Sequence, residues 1–153
     1  MAITPERLAQ TDNEHDHQAA FFCWLALNFR NEPRLRMAFA IPNGGERNRI
    51  VASRLVAEGT RSGVPDVFLP VPATILSGWQ TFNYHGLFIE FKKPAVKLKR
   101  GPNGPGPWDY GGVSDDQKLW LDALEAQGYR CAVVYGWTEA RDLVKQYLGR
   151  NDL

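Results

Sequence analysis

The chain has 153 residues, 44% hydrophobic and 23% charged, with a formal net charge of +1, the make-up of one soluble domain large enough to bury a core. So even a balance excludes bulk charge as the basis of nucleic-acid binding and leaves only local basic patches for it. The two cysteines lie in apolar patterns and read as small buried hydrophobes, and MAITPERLAQ lacks an apolar leader. No run approaches the roughly 20 apolar residues of a membrane span. A protein of the reducing cytoplasm is expected, without a membrane partner.

Residues 1–13 read as an N-terminal tail. From Glu14 to Phe29 the apolar residues Phe21, Phe22, Leu25 and Phe29 follow helical spacing, and Pro33 lies just beyond. Arg36 to Ile41 reads as a strand closed by the turn residues Pro42-Asn43-Gly44-Gly45. A helix from about Arg47 to Glu58 is expected next, with Gly59 as its C-terminal cap. Two strands follow in SGVPDVFLP (62–70) and GLFIEFKKP (86–94), separated by a loop holding Gly78 and Asn83. Pro94 ends the second strand because proline cannot donate to a ladder. The basic Gly/Pro-rich segment 94–113 reads as a long loop. Ser114 to Gln127 is a helix with Gly128 behind it, YRCAVVYGW is an apolar strand, and Thr138 to Leu148 is a last helix capped by Gly149. The order αβαββαβα predicts an α/β fold, a mixed central sheet flanked by helices, over residues 14–150.

Strands of such a sheet are expected to be nearly apolar, which makes Asp66, Glu90 and Lys92 informative. Alternation puts Leu87, Ile89 and Phe91 on one face and Phe88, Glu90 and Lys92 on the other. Asp66 follows Pro65, whose fixed φ starts the strand at a defined place. If the strands pair, the three charges converge. Two carboxylates about 4 Å apart repel by roughly 4 kcal/mol at an effective dielectric of 20, and a divalent cation would reverse that sign. Oxygen ligands suit Mg²⁺ or Mn²⁺. An ordinary Glu-Lys pair beside a turn aspartate would give the same letters.

The flanking helices carry polar residues where apolar ones belong. At about 100° per residue, Glu14, Gln18, Phe21 and Leu25 share one stripe of the first helix. They are either site residues or members of a first turn still open to solvent. Gln117 aligns with Leu121 and Leu124, yet Ser114-x-x-Gln117 is also a capping-box sequence. His15 and His17 lie two apart on a helix, so they do not face each other, and both read as surface residues near the site.

In this order the residues E-x-x-x-Q (14–18), AIPNGG (40–45), GVPD (63–66), GLFIEFKKP (86–94), S-x-x-Q-x-x-W (114–120) and GY-x-x-AVVYGW resemble the VRR-NUC branch of the PD-(D/E)xK nucleases, as found in bacteriophages. The resemblance implies a restriction-endonuclease-like fold and metal-dependent phosphodiester hydrolysis. It makes Asp66 and Glu90 metal ligands and Lys92 a residue that positions water or offsets charge. Glu14 would contribute to the metal directly or through water, with Gln18 and Gln117 in support. The long basic loop after Pro94 departs from the family pattern, so substrate preference does not carry over.

A metal held by Asp66, Glu90 and the Phe91 carbonyl suits phosphodiester hydrolysis, which needs an activated water and relief of developing charge. Asn43, Gly44 and Gly45 have amides to offer a phosphate, and Arg47, Arg49, Arg54 and Arg61 a positive track, though a plain turn and a solvated helix face fit too. Lys93, Lys97, Lys99 and Arg100 would make the loop a basic arm for DNA, with a solvated insertion as the alternative. The expected function is a Mg²⁺- or Mn²⁺-dependent DNA endonuclease, with branched DNA and a homodimer as finer expectations. The alternatives are a silent nucleic-acid-binding module, or a subunit active only in a larger phage assembly.

Overall fold

The computed structural model describes residues 3–42, 49–95 and 111–153. The elements in chain order are α1 (Pro5–Leu8), α2 (Glu14–Asn28), a 3-10 helix (Pro33–Met37), β1 (Phe39–Ala40), α3 (Arg49–Ala57), β2 (Val67–Leu69), β3 (Ala73–Ser77), β4 (Gln80–Tyr84), β5 (Leu87–Lys92), α4 (Asp115–Ala126), β6 (Arg130–Tyr135) and α5 (Trp137–Leu148). The central sheet has strand order β1-β2-β5-β6, antiparallel except for the parallel pair β5–β6. The expected mixed sheet flanked by helices is therefore present.

Alternation along β2 and β5 sorts the core into two layers. Val67, Leu69, Leu87, Ile89 and Phe91 point to the side where α2 and α5 pack, joining Phe21, Leu25, Val144 and Leu148 in one buried cluster. On the other face, Phe88 and Cys131 meet Leu121 of α4. Burial there pushes the Cys131 thiol up to about 12, so it acts as a small hydrophobe. Cys23, expected to be buried too, is only half-buried, because α2 turns that side toward the start of the chain.

Several elements differ from the sequence reading. Residues 1–13 include α1, whose Pro5 is buried, and Leu8 and Ala9 pack on the main core. The strand expected over Arg36–Ile41 shrinks to Phe39–Ala40. Upstream, Pro33 supplies the φ of a first helical position and the Glu32 carboxylate accepts from the Arg34 amide at 3.2 Å, so the chain coils instead. The loop expected between β2 and β5 holds the hairpin β3–β4, paired from Ala73↔Tyr84 to Ser77↔Gln80 around a turn with Gly78 at φ +59°. It docks on α5 through Tyr84 against Tyr147, whose hydroxyl donates to the Val71 carbonyl at 2.7 Å. Among the described residues no helix is long and apolar enough to cross a membrane.

Candidate active site

Val67 pairs with Ile89, so one further step of the antiparallel register sets Asp66 opposite Glu90. The Asp66 carbonyl accepts from the Ile41 amide at 2.7 Å, continuing the row to β1. Parallel pairing sets Glu90 beside Val133 and Lys92 beside Tyr135. The sheet thus carries a row Ile41–Asp66–Glu90–Val133 on the α4 face, with Lys92 two residues further along the same side of β5.

The chain holds the turn before β2 from outside. Trp120 Nε1 donates to the Ser62 carbonyl at 2.9 Å, and the Ser62 hydroxyl donates to Asp116 at 3.4 Å. Gly63 has φ +82°, and a Cβ there would meet the Asp116 backbone at 2.7 Å, so only glycine lets the turn lie this close to α4. Asp66 Oδ2 then accepts from the Phe91 amide at 2.8 Å.

Glu90 is 1% exposed and Lys92 7%. Glu90 Oε1 accepts from Lys92 Nζ at 2.6 Å and also from Gln117 Nε2. Glu90 Oε2 is buried and has no hydrogen-bond partner among the described residues. Burial first, then the Asp66 charge, pushes the Glu90 carboxyl up to about 8 against the pull of Lys92. Asp66 rises to about 6, mainly from burial and then from Glu14, while the Phe91 amide, Lys92 and His15 pull it down. A close lysine and an amide do not rescue this carboxylate, because a buried charge costs more than one ion pair returns.

Gln117 does both things its sequence position allowed. Its Oε1 accepts from the Ser114 amide at 2.9 Å, and its own amide donates to the Ser114 hydroxyl at 3.3 Å, closing the capping box. Its Nε2 is left to donate to Glu90. The two ends of one carboxamide thus join the start of α4 to β5.

The remaining candidates fall at different distances from this row. Glu14 begins α2, half-buried, near enough to raise both carboxyls. Gln18 is half-buried one turn later, and no hydrogen bond joins it to Asp66 or Glu90 among the described residues. Arg54 and Lys93 are exposed, and Arg61 donates to the Val56 and Thr60 carbonyls at the end of α3. Asn43, Gly44, Arg47, Lys97, Lys99, Arg100 and the Arg49 side chain lie outside the described residues. His17 is not the surface residue its spacing suggested: half-buried, it accepts through Nδ1 from the Trp137 amide at 3.3 Å, serving as the cap that Gly136 cannot supply to α5. Gly63 and Trp120 lay within the quoted motifs, but no role in holding this turn was read for them, and Ser62 and Asp116 carried no signal of their own.

Among the described residues no three His, Cys, Asp or Glu groups converge tightly enough to hold a metal by themselves. The pair Asp66–Glu90, with one orphaned buried oxygen and two raised carboxyls, nevertheless fits a hard cation that keeps several waters and takes one or two carboxylates. It is a poor match for zinc, which would want nitrogen or sulfur donors.

A family model described as the VRR-NUC domain matches residues 3–137. A solved structure named "VRR_NUC domain protein" superposes with a TM-score of 0.60, covering 91% of this chain and 90% of that chain at 20% identity, a likeness of fold. No curated protein sequence matches the chain.

Proposed function

Because the chain belongs to the VRR-NUC domain family, a nuclease-type family, we propose that it is a Mg²⁺- or Mn²⁺-dependent DNA endonuclease of the PD-(D/E)xK kind. The observation that carries the reading is Glu90 Oε2, a buried carboxylate oxygen without a hydrogen-bond partner among the described residues, beside a second raised carboxyl. Asp66, Glu90 Oε2 and the Phe91 carbonyl would hold the ion, with Glu14 reaching it through water. When bound, it supplies Lewis acidity that activates water and offsets charge on the phosphate oxygens.

The chain's own groups do the rest. The Phe91 amide and the Ser62–Trp120 latch fix Asp66. Gln117 and Lys92 hold Glu90 by Oε1, which leaves its other oxygen for the ion. Lys92 keeps a cation next to the position of the scissile phosphate, where preorganised positive charge lowers the barrier. Lys93, Arg54 and the basic segment 97–100 would contact DNA phosphates, as would Asn43, Gly44, Arg47, Arg49 and Arg61. Branched DNA as substrate, a homodimer, residues 14–150 as the catalytic body, a phage origin and the cytoplasm of a bacterial host belong to the same proposal.

The test is incubation with linear, nicked, forked and four-way DNA in Mg²⁺, Mn²⁺ or EDTA. Cleavage that needs the metal and disappears in Asp66→Asn supports the reading. Binding without cleavage under every condition would favour a silent DNA-binding module instead.

A further inference from the structure

The face that carries Asp66 and Glu90 continues into a row of aromatic rings. Phe39 pairs with Phe68 across β1–β2, and Phe68 with Phe88 across β2–β5, so three rings lie side by side one repeat along the strands from Ile41, Asp66 and Glu90. Phe68 and Phe88 stack with centroids 4.2 Å apart at 14°, and Phe39 meets Phe68 edge-on at 5.8 Å and 89°. Leu121 of α4 and the Tyr129 ring cover the Phe88 end. The Phe39 end, on the outermost strand, is 49% exposed. Two strands and two residues separate it from Glu90, roughly 12 Å by ordinary sheet spacings.

An apolar ring left half in water, continuous with a row of metal-type carboxylates, asks for an occupant that also touches that row. A substrate whose phosphate lies at Asp66 and Glu90 brings its neighbouring nucleotides into this range. A paired base already has both faces stacked inside the duplex, whereas an unpaired base has a free π-face to give. We propose that Phe39 is a stacking platform for an unpaired nucleobase beside the scissile phosphodiester, so the preferred substrate carries a single-stranded nucleotide at the cleavage position. This rests on the nuclease reading and narrows it to a substrate class. Phe68 and Phe88 are the backing that keeps the Phe39 ring in place.

The test places 2-aminopurine, whose fluorescence is quenched by stacking, in the single-stranded arm of a forked duplex next to the junction. Ca²⁺ replaces Mg²⁺, so that binding is read apart from hydrolysis. The wild type should quench the arm. Phe39→Ala should abolish the quenching and weaken fork binding about tenfold, with blunt-duplex binding unchanged. Phe39→Leu, which keeps the apolar packing on Phe68 but has no π-face, should behave like Phe39→Ala, and Phe39→Trp should restore both signals. The proposal is overturned if the wild type does not quench, if the variants bind forks normally, if fork and duplex weaken equally, or if Phe39→Leu changes the oligomeric mass instead. Quenching by a wild type that cleaves no DNA in Mg²⁺ would sink the nuclease reading and leave the stacking site standing.

Discussion

Two buried glutamates sit in opposite electrostatic worlds. Glu32 is 4% exposed and is gripped by two guanidinium groups: Arg34 donates to both its oxygens at 2.7 Å, and Arg150 Nη1 donates to Oε2 at 2.8 Å. The Arg34 hydrogen bonds lead in holding its carboxyl down at about 2. Glu90 also has a cation and an amide at hand, yet both engage the same oxygen, and its carboxyl rises to about 8. The difference lies first in burial and in the Asp66 charge beside Glu90, where Glu32 meets only arginines, and then in how the donors are distributed. Planar forks spread over two oxygens satisfy a carboxylate, while two donors crowded on one oxygen leave the other exposed to nothing but protein. Glu32 is a tie between the start of the 3-10 helix and the end of α5. Glu90 is held in a state that a positive ion would relieve, the kind of perturbation that clusters at functional sites.

The comparison breaks most sharply on activity. Asp66→Asn and Glu90→Gln should each reduce DNA cleavage below detection while leaving DNA affinity nearly unchanged, since each removes a proposed metal ligand but no positive charge. Glu32→Gln should cleave at the wild-type rate wherever it is folded. Full turnover by Glu90→Gln, or a silent Glu32→Gln that still melts cooperatively, would erase the functional distinction between the two.

Stability against pH should divide them next. Between the ordinary carboxylate range and about 8 the folded metal-free protein binds more protons at Glu90 than the unfolded chain does, so stability falls as pH rises through that window. Asp66 adds to the fall up to about 6. Glu32 has the opposite sign: its contribution is present above the ordinary carboxylate value and is lost as pH drops toward about 2. Melting in EDTA should therefore give a maximum in mild acid, with Glu90→Gln flattening the alkaline limb and Glu32→Gln the acid one. Mg²⁺ should raise the melting temperature most at the alkaline end. A wild-type profile that is flat from pH 5 to 8 in EDTA would contradict the strain assigned to Glu90.

At pH 7 the Glu32 tie itself should be worth about 2 kcal/mol, the usual scale for a few hydrogen bonds to a charged group. Both arginines remain partly exposed, so they can find water once Glu32 is gone. Glu90→Gln, by contrast, should be neutral or stabilising without metal, because at this pH the fold must keep Glu90 protonated against its ordinary tendency to ionise, a cost that a neutral amide does not carry. Denaturant midpoints for the two variants side by side would decide it, and equal losses would count against the contrast.

These two glutamates also mark how far sequence reaches. Asp66, Glu90 and Lys92 were legible because a period of two puts alternate residues on one face, so charge in an otherwise apolar strand has a definite address. The Glu32 tie was not, since its second arginine lies 118 positions later and no local pattern joins them. The β3–β4 hairpin was missed for another reason: two five-residue runs around a glycine turn are a hairpin signal, but Leu76, Trp79 and Phe82 stay exposed, so no clean alternation marked a buried face. Gln117 shows a third limit. Cap and site looked like rival readings because sequence assigns one role to one residue, whereas a carboxamide has an acceptor end and a donor end and here uses both.

That double role makes the smallest and most discriminating prediction. Gln117→Ala removes the capping acceptor and the donor to Glu90 together, so it should lower stability by about 1 kcal/mol and also lower the cleavage rate. Gln117→Glu separates them. Glutamate completes a capping box as well as glutamine does, so the Ser114 end of α4 should keep its stability within a few tenths of a kcal/mol of wild type. It has no N–H to give Glu90, and it sets a further carboxylate against an already strained one, so the rate should fall at least as far as in Gln117→Ala, and the fall should deepen as pH rises and both groups ionise. Melting and single-turnover cleavage measured on the same samples read the two ends independently. A Gln117→Glu protein that is stable and fully active would reduce Gln117 to a cap, and would leave Lys92 as the sole group steering the free oxygen of Glu90.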